Sequence, residues 1–277
     1  EDEAGDEVGG YVLGRELSRG HFSTVREAYH IEETKVKVGP VVVKIVRRGD
    51  DTSASTAETA ETAEEAMRQE LQIWRRLQHP NVLPLLDSFE SPMALYAVSP
   101  RCPNGSLYHA LRRFRRQESG DCASSFDAFA SYGQSDGPRG LPLDAVRQIV
   151  SQLASAIRYL HHDAAVAHGD LKLENVLINA AGHVQIIDFG LSRELFDDNS
   201  NSTPARQAGG ASAAGSLPYC APELLRGGQP VSPASDCWAL GVMIYALLMG
   251  ELPFQDAYEP RLIFKIIHAQ YELPEEV

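Results

Sequence analysis

Between residues 166 and 190 the chain gathers side chains that could move a phosphoryl group. Val166-Ala167-His168-Gly169-Asp170-Leu171-Lys172-Leu173-Glu174-Asn175 is followed, after a short gap, by Asp188-Phe189-Gly190. Asp170, Lys172 two residues on and Asn175 five residues on can crowd around one small site. Asp188, set between a hydrophobic run and a glycine, can reach the same site from a neighbouring turn. A proton acceptor, oxygen ligands for magnesium and one cation are the parts that phosphoryl transfer needs. The bland alternative is an ordinary polar turn.

These groups must be held by regular elements on either side. Tyr11-Val12-Leu13, Thr24 to Ala28 and Val41 to Val46 are β-branched runs separated by Gly and Pro, and read as strands. Residues 49–63 have the composition of a loop grading into a helix. A helix follows through Met67, Leu71, Trp74 and Leu77, and His79-Pro80-Asn81 ends it. Strands resume at Val82 to Leu86 and Met93 to Val98, and Asn104-Gly105-Ser106 is a turn. Residues 117–140 read as an inserted loop. Val146, Ile149, Val150, Leu153, Ile157 and Leu160 then fall on one helical face. Residues 197–215 are low in apolar content and read as mobile, and a buried helix runs through Trp238 to Met249. Strands first and helices later predict an α+β fold, a small β-rich lobe on a larger helical one.

A length of 277 residues and a 43% hydrophobic content suffice for such a core. The net charge of −13 argues against a broad nucleic-acid surface. Glu1, Asp2, Glu3, Asp6 and Glu7 form an acidic lead-in that reads as mobile and solvated, and a second acidic stretch surrounds Glu58, Glu61, Glu64 and Glu65. Cys102, Cys122, Cys220 and Cys237 lack paired or metal-like spacing, which suits reduced thiols and an intracellular, cytoplasmic or nuclear setting. The longest apolar run, Ala239 to Met249, is too short for a membrane span. The first methionine is Met67, so the reading expects a piece of a longer chain.

The register H-x-D-L-K-x-x-N followed by D-F-G resembles the eukaryotic protein kinases, and many fixed positions must coincide for it to arise. The resemblance runs from about Tyr11 to the end of the chain. It implies ATP and Mg2+ as cofactors and a protein hydroxyl as acceptor. It also implies a division into a lead-in at 1–10, an N-lobe and hinge at 11–102, and an incomplete C-lobe at 103–277. Asp170 would orient the acceptor hydroxyl and accept its proton, and Lys172 would offset charge on the moving phosphoryl group. A lysine there resembles the serine/threonine class. Asn175 and Asp188 would hold magnesium. Lys44, at the end of Val41-Val42-Val43-Lys44, would hold the α- and β-phosphates and pair with Glu70. Their bland readings are a snorkelling strand-end lysine and a solvated helix carboxylate.

Leu17 to Val25 stands where the family has its glycine-rich turn, but only Gly20 remains, and Ser18 and Ser23 replace the outer glycines. Taken alone the segment could be a plain hairpin. Ser18, Gly20, Val25, Val42, Lys44, Pro100, Cys102 and Leu177 are the implied nucleotide-binding residues. Val42 replaces a usual alanine. Ser99 falls at the gatekeeper, and Pro100-Arg101-Cys102 in the hinge, where the Pro100 carbonyl and the Cys102 N–H would meet adenine. A register one residue away is the alternative beside a proline.

His168 reads as a packed scaffold residue, and Gly169 replaces the arginine of H-R-D, which in the family grips an activation-loop phosphate. Gly215 to Glu223 resembles the substrate-docking loop ending in A-P-E, with Ser216 able to bond Asp170 and Lys172. Asp236 should accept backbone N–H bonds from the catalytic loop, and Glu223 has no obvious arginine partner, Arg261 coming too early. Glu174 sits at a position that often favours a basic residue before the phosphosite, Ser106 replaces a further common glutamate, and Ala246 stands at a second acidic position. Arg112, Arg113, Arg115 and Arg116 read either as a solvated helix face or as a docking patch, with Ser119 a possible phosphosite. Two other functions compete. One is a pseudokinase scaffold, favoured by the thinned glycine turn, Val42 and Pro100. The other is a Rossmann dehydrogenase, which would need a glycine fingerprint opening a helix within a β-α-β unit.

Overall fold

The structure, a computed structural model, describes residues 5–20, 23–32, 35–36, 40–48, 54–118, 140–195, 216–227 and 229–273. They fall into two compact units, Glu1–His79 with Leu83–Cys102, and Pro80–Val82 with Pro103–Val277.

The first unit is built on one seven-stranded sheet. Its strands are β1 (Glu7–Val8), β2 (Tyr11–Arg19), β3 (Ser23–Glu32), β4 (Lys35–Val36), β5 (Val41–Arg47), β6 (Asp87–Glu90) and β7 (Ala94–Pro100). The order is β1-β2-β3-β5-β7-β6, with β4 paired to β3. Side chains alternate across a strand. In β5, Val41, Val43 and Ile45 are therefore buried with Tyr11, Leu13, Ala28, Tyr96 and Val98, while Val42 and Lys44 take the other face. Directly opposed residues share a face. Val25, Lys44 and Ala97 form one row, and Glu27, Val42 and Ser99 form the next. Ser18 stands opposite Val25. Ser18, Val25, Val42 and Lys44 are thus gathered on one side of the sheet.

Helix α1 spans Ala54–Trp74. It begins inside the stretch read as a loop grading into a helix, whose alanines and glutamates are strong helix formers. Residues 82–86, expected to be a strand, are not one. The strand that pairs with β7 on that side is β6, which begins only at Asp87. Pro84 has no N–H to give a ladder, and the Leu83 carbonyl accepts from Trp74 Nε1 at 2.6 Å. Residues 5–10 are not a free lead-in either. β1 pairs with β2, and Leu13 N donates to Asp6 O at 2.9 Å.

The second unit carries α2 (Leu107–Glu118) and α3 (Leu143–Arg158), the latter continued by one π-helical turn at Tyr159–Asp163. Short strands follow: β8 (Val166–Ala167), β9 (Val176–Ile178), β10 (Val184–Ile186) and β11 (Arg193–Glu194). Helices α4 (Pro222–Leu225), α5 (Pro233–Met249) and α6 (Glu259–Ile267) complete it. α3 buries Val146, Ile149, Leu153 and Ile157, the face read from the sequence. α5 starts three residues ahead of Asp236, where Ser232 and Ser235 form a reciprocal capping box, and stops at Gly250, with φ 75°. Among the described residues, no helix is long and apolar enough to cross a membrane. The expected inserted loop lies mostly outside the described residues, as do the segment expected to be mobile, Cys122 and Ser119.

Gly140 packs backbone against backbone on the end of α5. A Cβ there would stand 1.8 Å from the Leu248 carbonyl oxygen, and Leu141 N donates to Leu247 O at 2.8 Å. Gly140→Ala should therefore destabilise the protein by about 1–3 kcal/mol, the usual range for overpacking. Urea unfolding measures this; an unchanged midpoint would mean that Gly140 does not lie against α5.

Candidate active site

In the first unit, Lys44 Nζ lies 2.7 Å from Glu70 Oε2. Glu70 is 4% exposed, on the buried side of α1 with Met67 and Leu71. A carboxylate this deep requires a cation, so neither bland reading of these two residues describes them. An ion-pair cluster holds α1 to the sheet. Glu64 meets Arg48 at 3.1 Å and Arg68 at 2.9 Å. Glu90 meets Arg48 at 2.6 Å and Arg68 at 2.8 Å. The second acidic stretch is thus partly engaged rather than a bare solvated face. At the thinned glycine turn, Gly20 N donates to Ser23 O at 2.7 Å. None of Ser18, Gly20 and Ser23 is left-handed, so serine fits these strand ends without strain. At the other end of the unit Ser99 is 6% exposed, Pro100 ends β7 opposite Val41, and burial pushes the Cys102 thiol up to about 11.

In the second unit, Lys172 Nζ is 2.6 Å from Asp170 Oδ2 and 2.8 Å from Ser216 Oγ. Asn175 Nδ2 donates to the same Asp170 Oδ2 at 3.0 Å and to the Asp170 carbonyl at 2.9 Å. The structure thus brings Asp170, Lys172, Asn175 and Ser216 together. The antiparallel ladder of β9 and β10 sets Ile186 opposite Val176, and Ile187 N donates to Asn175 O at 3.0 Å. Asn175 and Asp188 therefore emerge at the same end of one hairpin. Asp188 is held at φ 69°, a left-handed backbone rare outside glycine, and accepts from Gly190 N at 3.3 Å. Such strain persists only where the surroundings enforce it, and is found at working sites. One carboxylate and one carboxamide are hard oxygen ligands, a set that suits Mg2+ shared with phosphate oxygens. Leu177 lies between them on β9, bridged to Ser106.

The loop bearing Asp170 is held by Asp236, which is 1% exposed. Its Oδ2 accepts from His168 N at 2.7 Å and its Oδ1 from Gly169 N at 2.9 Å. His161 Nε2 adds a third contact at 2.8 Å. Sequence reading missed His161; it reaches Asp236 from the π-turn, which leaves no periodic signal. His168 is fully buried, bonded to Ile187 O at 3.0 Å and to Asp170 N at 3.2 Å, with its ring 5.1 Å from that of Phe189. Gly169 is left-handed, at φ 80°, and a Cβ there would meet the Leu191 carbonyl at 2.7 Å and Val231 at 2.9 Å.

Beside the loop, Tyr219 lies near the Glu174 carboxylate; burial first, then that charge, pushes its hydroxyl far above the ordinary tyrosine range. The other Glu174 oxygen, Oε2, is buried without a hydrogen-bond partner. Arg261 pairs with Asp256 at 3.8 Å, and no ion pair reaches Glu223 among the described residues. The side chain of Arg116 lies outside the described residues, and the other three arginines of α2 meet different partners. Arg113 donates to Asn104 O and Arg115 to Gly250 O, while Arg112 lies over the Tyr108 ring.

Comparison with known proteins defines the class. The family model for the protein kinase domain matches residues 11–276, so the chain belongs to the protein kinase domain family. Its relatives include the human hormonally up-regulated neu tumor-associated kinase, 33% identical over 89% of this chain and 29% of that protein. The Arabidopsis thaliana SNF1-related protein kinase catalytic subunit alpha KIN12 is 30% identical over 95% of this chain and 44% of its own length. The rice serine/threonine protein kinase OSK3 is 31% identical over 95% and 43%, respectively. The chain spans less than half the length of these relatives.

Replacing Gly169 by arginine, the residue the H-R-D pattern would have, should destabilise this loop rather than restore a phosphate contact. A side chain forced left-handed costs about 1–2 kcal/mol before the overlap with Leu191 is added. Urea midpoints for Gly169→Arg and Gly169→Ala check this, and wild-type stability in both variants would refute the left-handed assignment.

Proposed function

We propose that this chain transfers the γ-phosphoryl group of ATP to a serine or threonine hydroxyl of a protein substrate. The observation that carries the reading is Lys172, bonded at once to Asp170 and Ser216. Asp170 Oδ2 is taken up by Lys172 and Asn175. Its Oδ1 is therefore the oxygen left to orient the acceptor hydroxyl and take its proton. Lys172 is placed to offset charge on the transferring group. Lys44, oriented by Glu70, holds the α- and β-phosphates, while Ser18, Gly20, Val25, Val42 and Leu177, with the Pro100 carbonyl and Cys102 N–H, form the nucleotide contacts. Asn175 and Asp188 hold magnesium, which when bound neutralises charge on the phosphate oxygens. In this reading residues 11–102 are the nucleotide-binding lobe and hinge, and 103–277 the catalytic and substrate lobe; the boundary between compact units at Cys102 and Pro103 supports that division. Free thiols at Cys102, Cys220 and Cys237 suit an intracellular, reducing setting.

The scaffold alternative predicts that charged positions would be lost or disengaged. Instead Lys44, Glu70, Asp170, Lys172 and Asn175 are all present and bonded to one another in their two groups. With glycine at 169, activity does not depend on an arginine–phosphate clasp at that position.

Asp170→Ala should lower kcat by about 10²–10⁴-fold, the usual worth of a positioned general base. Nucleotide affinity, read by equilibrium binding, should stay near wild type. A wild-type protein that binds Mg-ATP yet phosphorylates no serine or threonine peptide would establish the scaffold instead. Phosphatase treatment of the purified protein should leave peptide phosphorylation within about twofold, because no guanidinium at 169 is present to read a loop phosphate. Collapse of activity after treatment, restored by rephosphorylation, would show that another group reads it.

A further inference from the structure

One pocket of the second unit has no part in the chemistry above. It has a volume of about 290 Å³ and is lined by Pro103, Asn104, Gly105, His109, Arg112 and Arg113. No acidic side chain lines it among the described residues, although the chain carries a net charge of −13. A local excess of cations on an acidic protein selects for an anion.

The walls are fixed. Gly105, at φ 74°, accepts through its carbonyl from Ile178 N at 2.8 Å. Asn104 Nδ2 donates to Asn179 O at 2.7 Å, and Asn104 O accepts from Arg113 Nη2 at 2.8 Å. That bond uses one of the five guanidinium donors and orients the rest. His109 Nδ1 is 2.8 Å from Ser106 Oγ, which leaves Nε2 as the ring nitrogen available to a ligand. Arg112 is steadied over Tyr108, its guanidinium 5.6 Å from the ring centre.

The pocket adjoins the substrate side of the site. Tyr108 packs edge-on against His109, with ring centres 5.6 Å apart. It is also near enough to influence Tyr219 electrostatically, alongside Glu174. Tyr219 in turn donates through its N–H to the carbonyl of Ser216, the residue that Lys172 contacts, at 3.0 Å. Ser106 is a buried hydroxyl that adds no negative charge.

We infer that this pocket binds an acidic side chain of the protein substrate, a phosphoserine, phosphothreonine or carboxylate flanking the acceptor hydroxyl. The inference rests on the protein kinase reading of the proposed function. Guanidinium groups recognise phosphate and carboxylate through paired N–H donors.

The test uses serine peptides in which each flanking position is in turn phosphoserine, Asp, Ala or Arg. At one flanking position phosphoserine should raise kcat/KM by up to about fivefold over alanine, through KM, the worth of an exposed charge contact. Arg112→Glu should abolish that gain and favour the arginine peptide, while leaving the all-alanine reference peptide and the melting temperature unchanged. Arg113 is left intact because it holds Asn104. Fluorescence anisotropy of labelled phospho- and unphosphorylated peptides gives the same comparison without turnover. If no peptide is phosphorylated, the kinase reading fails by itself and binding still decides the pocket. Equal affinity of the two peptides, a preference that survives Arg112→Glu, or binding of inorganic phosphate with no discrimination between peptides would each overturn the inference.

Discussion

A buried carboxylate holds the loop that carries Asp170 in place. Asp236 is almost fully removed from water, which for an isolated charge costs several kcal/mol. Two backbone N–H groups and an imidazole nitrogen offset that cost. Its place in the first turn of α5 helps further, since the positive end of the helix dipole lies there. The capping box at Ser232 thus fixes where the helix begins, and so where Asp236 stands, and so where His168 and Gly169 must run. Asp170 follows directly in the chain.

The remaining groups are positioned by strand geometry of an elementary kind. The two-residue period of β5 separates the core valines from Lys44, so one strand fills the hydrophobic layer and presents an ammonium on its other side. The β9–β10 hairpin does the same for Asn175 and Asp188, because an antiparallel register fixes which residues leave the ladder side by side. α1 brings Glu70 to Lys44 only while it stays docked, and Arg48 just after β5, Glu64 and Arg68 of α1, and Glu90 of β6 hold it there. Exposed pairs taken singly contribute little; four groups that share partners form a network.

Gly169 shows how a substitution that reads as a loss can be a backbone requirement. The left-handed conformation and the approach of Leu191 and Val231 leave no room for a side chain. The glycine at 169 and the tight path of the loop are therefore one feature.

Much of the site was legible in the sequence because it is local. Asp170, Lys172, Asn175 and Asp188 lie within a span of nineteen residues, and the alternation of β5 marks Lys44 as facing away from the core. Glu70 could be expected on a helix, and the α+β order follows from where apolar periodicity changes. The sequence did not contain the outcome of competition between distant groups. Which of residues 82–90 would pair with β7 depended on Trp74 taking the Leu83 carbonyl and on Pro84 offering no donor. His161 became a partner of Asp236 only through a π-turn. Two of the α2 arginines were drawn to carbonyls at Asn104 and Gly250 rather than to one face. Residue type and short spacing determined which chemistry this chain can attempt. Only the tertiary structure decided which polar groups are spent on each other and which are left for a ligand, because a buried donor or acceptor must find a partner wherever the folded chain supplies one.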